Sequence, residues 1–237
     1  MPEDYLPRDH SRRNFLSRSA QVIAGAGLLM TGMQACKSGD EDDEKEVSPP
    51  EDLMQEHGLL NRILLIYDHC HSQLVQRQSF DPSALFASAQ IVRTFVEDYH
   101  EKQEEDYLFP RFRKANQLND LVAVLQQQHD AGRSITSQLM QLTKPGNLGE
   151  NESGKVVALL QSFNTMYRPH ESREDTVLFP AFRKIVSRHE YDSLGEEFES
   201  NEQKKFGKDG FETMVAKVAA IEKQLGIYEL GQFTPRT

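Results

Sequence analysis

Histidine and glutamate recur in this chain with a spacing that suits metal binding. Two single histidines are each followed by a His-x-x-x-Glu pair, in the order His57, His100 with Glu104, His129, and His170 with Glu174. Residues four apart on a helix lie about 40° and ~6 Å from each other, so both side chains of a pair can reach one ion. Four imidazoles and two carboxylates suffice for two metal ions bridged by Glu. This ligand mixture favours iron, with manganese or zinc as less favoured alternatives.

The two pairs belong to an internal repeat. Residues 100–114 and 170–184 are identical at nine of fifteen positions, with Glu105 facing Asp175, and the single histidines are 72 residues apart. The chain is therefore predicted to consist of two helix pairs. Both copies contain Leu-Phe-Pro, and we expect the proline to end or kink the helix just past the site because it lacks a backbone N–H.

Helical periodicity dominates the sequence after the first 50 residues. It predicts long helices at about 50–77, 82–113, 119–142 and 153–187, and shorter ones at about 191–205 and 210–226. The predicted fold class is all-α: an up-down four-helix bundle with one or two extra C-terminal helices. The candidate histidines lie on otherwise apolar faces, where an ionisable group needs a partner. Metal binding satisfies that need, and purely structural His–Glu ion pairs are the alternative.

The N-terminus resembles a twin-arginine export signal. Arg12 and Arg13 precede Phe-Leu, and a modest apolar run extends from residue 20 to residue 35. We therefore expect export to the periplasm or to the outer face of the membrane. Cys36 ends the run. Two alternatives stay open: lipidation of Cys36, which would anchor the protein to the membrane, or ordinary cleavage of the signal. The predicted divisions are a signal segment 1–36, an acidic disordered tether 37–50, the bundle 51–189 and a C-terminal helical extension 190–237.

The composition excludes several classes of protein. The chain has 237 residues with a net charge of −10, which argues against a nucleic-acid partner. Its two cysteines lack C-x-x-C spacing, which excludes a zinc ribbon, and the mean hydropathy of −0.62 excludes a multi-span membrane protein. His69 and His71 flank Cys70, about 18 to 21 Å along the helix from His57. We interpret them as a surface feature, and Cys70 as a free packed thiol.

The order of single His and His-x-x-x-Glu on four helices resembles the haemerythrin-like family, the HHE cation-binding domain, over about residues 50–187. The resemblance implies a bundle around a bridged, non-haem di-iron centre with the six residues above as ligands. Glu101 and Glu171 are second-rank candidates: an adjacent Glu adds a ligand in some members, and surface charges are the alternative. Oxygen-carrying haemerythrins have a fifth His where this chain has Arg133, which argues against a stable one-site O₂ carrier and for a near-symmetric centre.

Two classes of function fit these residues. The first is an exported di-iron protein that binds, senses or reduces O₂, peroxide or NO; if it is an enzyme, it is a di-iron oxidoreductase. The alternative is a non-catalytic module for iron storage, buffering or metal sensing. The sequence shows no phosphate loop, nucleophile motif or separate acid/base pair, so it assigns no catalytic residue, substrate or protein partner.

Overall fold

The computed structural model describes residues 47–78, 81–144 and 149–235. The signal segment, Cys36 and nearly all of the tether lie outside the described residues. The helices are α1 (Pro49–Val75), α2 (82–115), α3 (Asn119–Thr143), α4 (150–185), α5 (Arg188–Phe206) and α6 (Gly210–Leu225), followed by a 3₁₀ turn, Leu230–Phe233. No strand occurs among these residues, which confirms the predicted all-α class, and each helix matches a predicted one within three residues at either end.

The first helix begins where the sequence indicates. Pro49 and Pro50 occupy the first turn, in which a missing backbone N–H costs nothing. The backbone N–H of Ser48 donates to Glu51 Oε2 at 3.0 Å, as a capping box requires. The last two residues of the predicted tether, Pro49 and Pro50, thus already belong to the helix.

The first four helices form the bundle. Each of α1 to α4 packs against its two neighbours, with α4 returning to α1, and short connections link successive helices. The last two helices form the predicted extension: α5 packs on α1, and α6 packs on α1 and α2. Arg62 on α1 donates from Nε to Glu222 Oε1 on α6 at 3.0 Å, which ties the extension to the bundle.

Two apolar clusters lie along the bundle axis, one on each side of the candidate residues. The first cluster includes Tyr67, Phe95 and Phe163, and the second includes Phe112 and Phe182. On α1 the chain passes from Leu53 in the second cluster through His57 to Leu60 in the first, and α3 makes the same passage through His129. The candidate histidines therefore form a polar layer between two dry layers. None of the described helices is both long and apolar enough to cross a membrane.

The Leu-Phe-Pro segments do not end their helices. Pro110 and Pro180 lie inside α2 and α4, which continue to residues 115 and 185. The turn before each proline is π-helical: the Phe109 N–H bonds to the Glu104 carbonyl, and the Phe179 N–H bonds to the Glu174 carbonyl. Of the two expected outcomes, a helix end is wrong, because a widened turn precedes each proline and the helix continues beyond it.

Gly132 on α3 gives a direct test of the packing in the bundle. A Cβ built there would lie 2.1 Å from Tyr167 Oη and 2.8 Å from its Cζ, and Tyr167 is fully enclosed. We expect Gly132→Ala to lower the free energy of unfolding by about 1–3 kcal/mol, measured by urea denaturation. Gly154→Ala is the matched control, because its Cβ would meet nothing within 4 Å; it should be neutral or stabilising by up to about 1 kcal/mol. Equal effects of the two variants would contradict this packing.

Candidate metal centre

The six residues singled out by spacing converge in the polar layer of the bundle. All are buried, with 0 to 4% of each residue exposed. Ligand atoms lie within 4.8 Å of one another in two groups, and Glu104 belongs to both: one group contains His57, His100 and Glu104, the other Glu104, His129, His170 and Glu174. We call His57 with His100 the first half of the centre and His129 with His170 the second half.

Each carboxylate faces one histidine of each half. Glu104 has one oxygen 3.9 Å from His100 Nε2 and the other 3.3 Å from His129 Nε2. Glu174 Oε2 lies 3.4 Å from His57 Nε2 and 3.2 Å from His170 Nε2. The ring centroids are 4.7 Å apart in the first half and 5.0 Å apart in the second. Both glutamates are therefore placed to bridge two cations held by the two histidine pairs.

The outer nitrogen of each of the four histidines of the centre has its own acceptor. Four Nδ1 contacts of 2.8 to 3.1 Å join His57 to Asp175, His100 to Glu56, His129 to Glu105 and His170 to Gln128. An acceptor on Nδ1 places the proton there and leaves Nε2 as the lone-pair nitrogen that faces inward. This is the arrangement usually found behind metal-binding histidines.

Each widened turn encloses the single histidine of another helix. On α2, Glu104 faces His129 Nε2, Glu105 contacts Nδ1, and Phe109 stacks on the ring with centroids 5.6 Å apart. The same contacts recur on α4, where Glu174, Asp175 and Phe179 surround His57, the last also at 5.6 Å. Repeated residues from one half of the chain thus orient a histidine of the other half.

The inner atoms of the layer lack compensation from the protein. Within the described residues, His57 Nε2, His129 Nε2 and both carboxylate oxygens of Glu104 and Glu174 are buried without a hydrogen-bond partner. Such atoms carry the full cost of lost hydration. A pair of divalent cations would offset that cost. The four imidazoles and two carboxylates therefore fit a metal centre with nitrogen and oxygen donors.

The pKa values show how burial and neighbouring charges act on these groups. Burial raises the pKa of Glu104 well above its usual value, and the facing Glu174 carboxylate adds to this. Burial lowers the pKa of His129 to about 4, and that of His100 is also lowered by burial and by His57. Burial alone would lower the pKa of His57, but the hydrogen bond to Asp175 and the negative charge of the nearby Glu174 carboxylate raise it well above its usual value.

A family model described as the hemerythrin HHE cation binding domain matches residues 48–182. The matched segment begins at the cap of α1 and ends in the last turn of α4, so it contains α1 to α3, nearly all of α4 and all six residues. This chain belongs to the hemerythrin HHE cation-binding family. Proteins of Mycobacterium tuberculosis and Mycobacterium bovis, both described as uncharacterized, are 41% identical to it over 241 aligned residues, covering 97% of this chain and 92% of the relative. No solved structure matches it.

The second-rank glutamates of this hemerythrin-family protein are not surface charges. Glu101 is 1% exposed and Glu171 is 2% exposed, so that alternative is wrong. Burial raises the pKa of each to about 8. Glu101 Oε1 accepts from Tyr167 at 2.7 Å and its Oε2 lies 2.7 Å from the guanidinium of Arg133, whereas Glu171 accepts from the side-chain amide of Asn61.

The remaining sequence-based assignments concern α1. Cys70 is buried and free, as predicted, and burial raises the pKa of its thiol to about 12. His69 and His71 are half-buried and join none of the clusters of potential ligands found among the described residues. On α3, Arg133 lies 3.2 Å from Asp130 and 2.6 Å from Glu105.

Sequence reasoning missed the acceptors behind the histidines. Glu56 and Gln128 each immediately precede a single histidine, and Glu105 and Asp175 each immediately follow a candidate glutamate. The signal was present, because both positions repeat with the ligands. From sequence alone, a polar residue beside a ligand looks like part of a solvent-exposed helix face. Only the three-dimensional packing shows which histidine its side chain contacts.

Replacing Asp175 tests whether these outer contacts matter. We expect Asp175→Asn to weaken metal binding about 10- to 100-fold, because the carboxylate that orients His57 and strengthens its basicity is lost. Affinity would be measured by anaerobic titration of the metal-free protein with Fe²⁺. Asp106→Asn is the control, since the same substitution falls at an exposed carboxylate on the other repeat. Wild-type affinity in Asp175→Asn would refute the role.

Proposed function

We propose that this protein is an exported, non-haem di-iron protein that binds, senses or reduces O₂, peroxide or NO. His57 and His100 would hold one iron, and His129 and His170 would hold the other. Glu104 and Glu174, each close to one histidine of either half, would be shared between the two. Bound iron would supply redox chemistry toward these small molecules.

One observation carries the proposal. Four imidazole Nε2 atoms and two carboxylates face the same buried space, and each carboxylate lies within 4 Å of one histidine from each half. Nitrogen and oxygen donors without any thiolate suit iron, and also manganese or zinc, rather than copper(I) or an iron–sulfur cluster. Iron is preferred here because di-iron sites in helix bundles likewise combine Glu and His side chains that project inward from facing helices at similar helical spacings.

The protein side chains fix and shield this set. The Nδ1 acceptors hold each imidazole in one orientation, and Phe109 and Phe179 lie flat against two of the rings. The two apolar clusters exclude water on both sides of the layer. A dry, preorganised donor set strengthens electrostatic interactions with a bound cation. It also allows only small molecules to reach that cation.

Iron loading tests the centre. We expect the metal-free full-length chain to bind two Fe²⁺ per chain under anaerobic conditions, with a visible absorption change on adding O₂, peroxide or NO. His100→Ala combined with His170→Ala removes one ligand from each half and should abolish stoichiometric binding. Fewer than one metal bound by the wild type would refute the proposal. Two irons without any spectral or redox response would favour the storage or sensing alternative, and metal analysis after loading from an equimolar mixture would rank manganese and zinc.

We further propose that the protein is exported by a twin-arginine-type route, on the basis of Arg12, Arg13 and the apolar run that follows. Arg12→Lys with Arg13→Lys should retain the protein in the cytoplasmic fraction, whereas the control substitution Arg8→Lys, outside the arginine pair, should not. Intact-mass analysis of the exported protein would reveal whether Cys36 carries a lipid anchor. Export of the double variant at the wild-type level would contradict the route.

A further inference from the structure

A second group of buried polar side chains lies next to the metal centre, on the side of the first apolar cluster. Glu97 on α2 precedes Glu101 by one helical turn and is 0% exposed. Arg93 Nη1 lies 2.7 Å from Glu97 Oε2, and the Arg93 side chain is 26% exposed. The same guanidinium donates to the Ser137 hydroxyl at 2.6 Å and to the Arg133 carbonyl at 2.9 Å. Arg93 thus lies between the buried Glu97 carboxylate and the surface of the bundle.

Two hydroxyl groups from other helices lie close to Glu97. The buried hydroxyl of Thr143 donates to the carbonyl four residues earlier at 2.6 Å, as threonines in helices commonly do. The buried Thr136 hydroxyl makes no such bond within the described part of the chain, and it lowers the pKa of the Glu97 carboxylate that it faces. Tyr67 on α1 is also buried with its hydroxyl unbonded among the described residues, and the charge of Glu97 helps to raise its pKa.

The polar group continues towards the second half of the centre. Tyr167 on α4 donates its hydroxyl to Glu101 Oε1 at 2.7 Å, and the charge of Glu97 raises the pKa of both residues. One oxygen of Glu101 lies within 4.8 Å of a ring nitrogen of His129. Glu97, Tyr167 and Glu101 therefore lead from the surface at Arg93 to the edge of the centre.

The other repeat has different side chains at these positions. The pairs of equivalent positions are Arg93 and Phe163, Glu97 and Tyr167, Arg133 and Asn61, and Thr136 and Leu64. Phe163, Tyr167 and Leu64 are each at most 1% exposed, so aromatic and aliphatic side chains fill this layer well on one side of the bundle. The segment Val92–His100 is π-helical, whereas residues 162–170 of α4 are α-helical. A buried ion pair often contributes less stability than apolar packing, and π-helical segments are frequent at functional sites, so packing alone does not account for Glu97.

We propose that Glu97 is a proton-transfer residue for the reduction of peroxide at the centre, and that Arg93 and Thr136 position its carboxyl group. This inference rests on the proposed function. Reduction of one H₂O₂ to two H₂O breaks the O–O bond and forms two O–H bonds. It takes two electrons, supplied by oxidation of two Fe²⁺ to Fe³⁺, and two protons, which come from solvent.

Glu97 would supply these protons one at a time. Solvent protonates the carboxylate beside Arg93, and the carboxyl group releases the proton towards Glu101 through the Tyr167 hydroxyl or an ordered water. Glu97 then takes up the next proton from solvent. The ionisable groups around Glu97 are Arg93, Asp98 and Glu101 on α2, Tyr67 on α1, Arg133 on α3 and Tyr167 on α4.

Infrared spectroscopy of the metal-free full-length chain tests proton uptake without iron. The pH would be lowered within the range where circular dichroism shows native helicity. Protonation of Glu97 should then produce a carboxylic-acid C=O band that Glu97→Gln lacks, and the band should shift promptly in D₂O although Glu97 is buried. The control Glu196→Gln, at an exposed glutamate on α5, should retain the band. A Glu97 that stays ionised throughout, or a band that does not exchange with D₂O, would overturn the inference.

Stopped-flow oxidation of the Fe²⁺-loaded protein by H₂O₂ tests the use of these protons. We expect Glu97→Gln to slow oxidation about 100-fold at unchanged Fe²⁺ affinity, and Glu97→Asp to recover part of the rate. Thr136→Val should also slow oxidation, whereas the control Thr143→Val should not, because the Thr143 hydroxyl bonds only within its own helix.

Two results would overturn the role of Glu97: a wild-type rate in Glu97→Gln, or equal slowing by the two threonine variants. If Glu97→Gln does not fold, the threonine variants decide. A wild-type chain that binds no iron, or that binds it without reacting with peroxide, would instead refute the proposed function, and the infrared measurement distinguishes that outcome from a failure of Glu97 to exchange protons.

Discussion

The burial of facing charges in the middle of the bundle constrains everything else in this protein. Glu104 and Glu174 are completely buried, and their oxygens have no hydrogen-bond donor in the described part of the chain. Two carboxylates in this situation repel each other and lose hydration, a cost that apolar packing alone does not offset. The same carboxylate oxygens would interact favourably with a divalent cation, which would offset that cost. The two apolar clusters supply the stability that lets the unfavourable layer persist.

Much of the fold was available from the sequence, since it depends on local signals. Apolar periodicity placed the helices, and the internal repeat placed the six candidate ligands on one level of the bundle. The Leu-Phe-Pro segments were harder, because a proline can end a helix, kink it or sit after a π turn, and tertiary packing decides among these. The outcome depends on what the turn must contact, here the ring of His129 or His57.

The burial of Glu101 and Glu171 was likewise not predictable from local sequence signals. Both stand next to a candidate ligand at about 100° around the helix, a position that is exposed on an isolated helix but enclosed where helices pack closely. Their burial depends on partners from other helices, Tyr167 and Arg133 for one and Asn61 for the other. No periodicity in a single segment encodes such a pairing, so the sequence left ligand and surface charge as open alternatives.

The exchange of contacts between the two repeats has a consequence for their independence. The turn that surrounds His129 comes from the first helix pair, and the turn that surrounds His57 comes from the second. A helix pair on its own would present a single histidine without the turn that orients its ring. It would also present one of the two facing glutamates without the other. Such a fragment could assemble a complete centre only by associating with a second copy of itself. The covalent link between the repeats therefore does the work of a subunit interface, and it allows the two copies to diverge, as Arg133 and Asn61 have done.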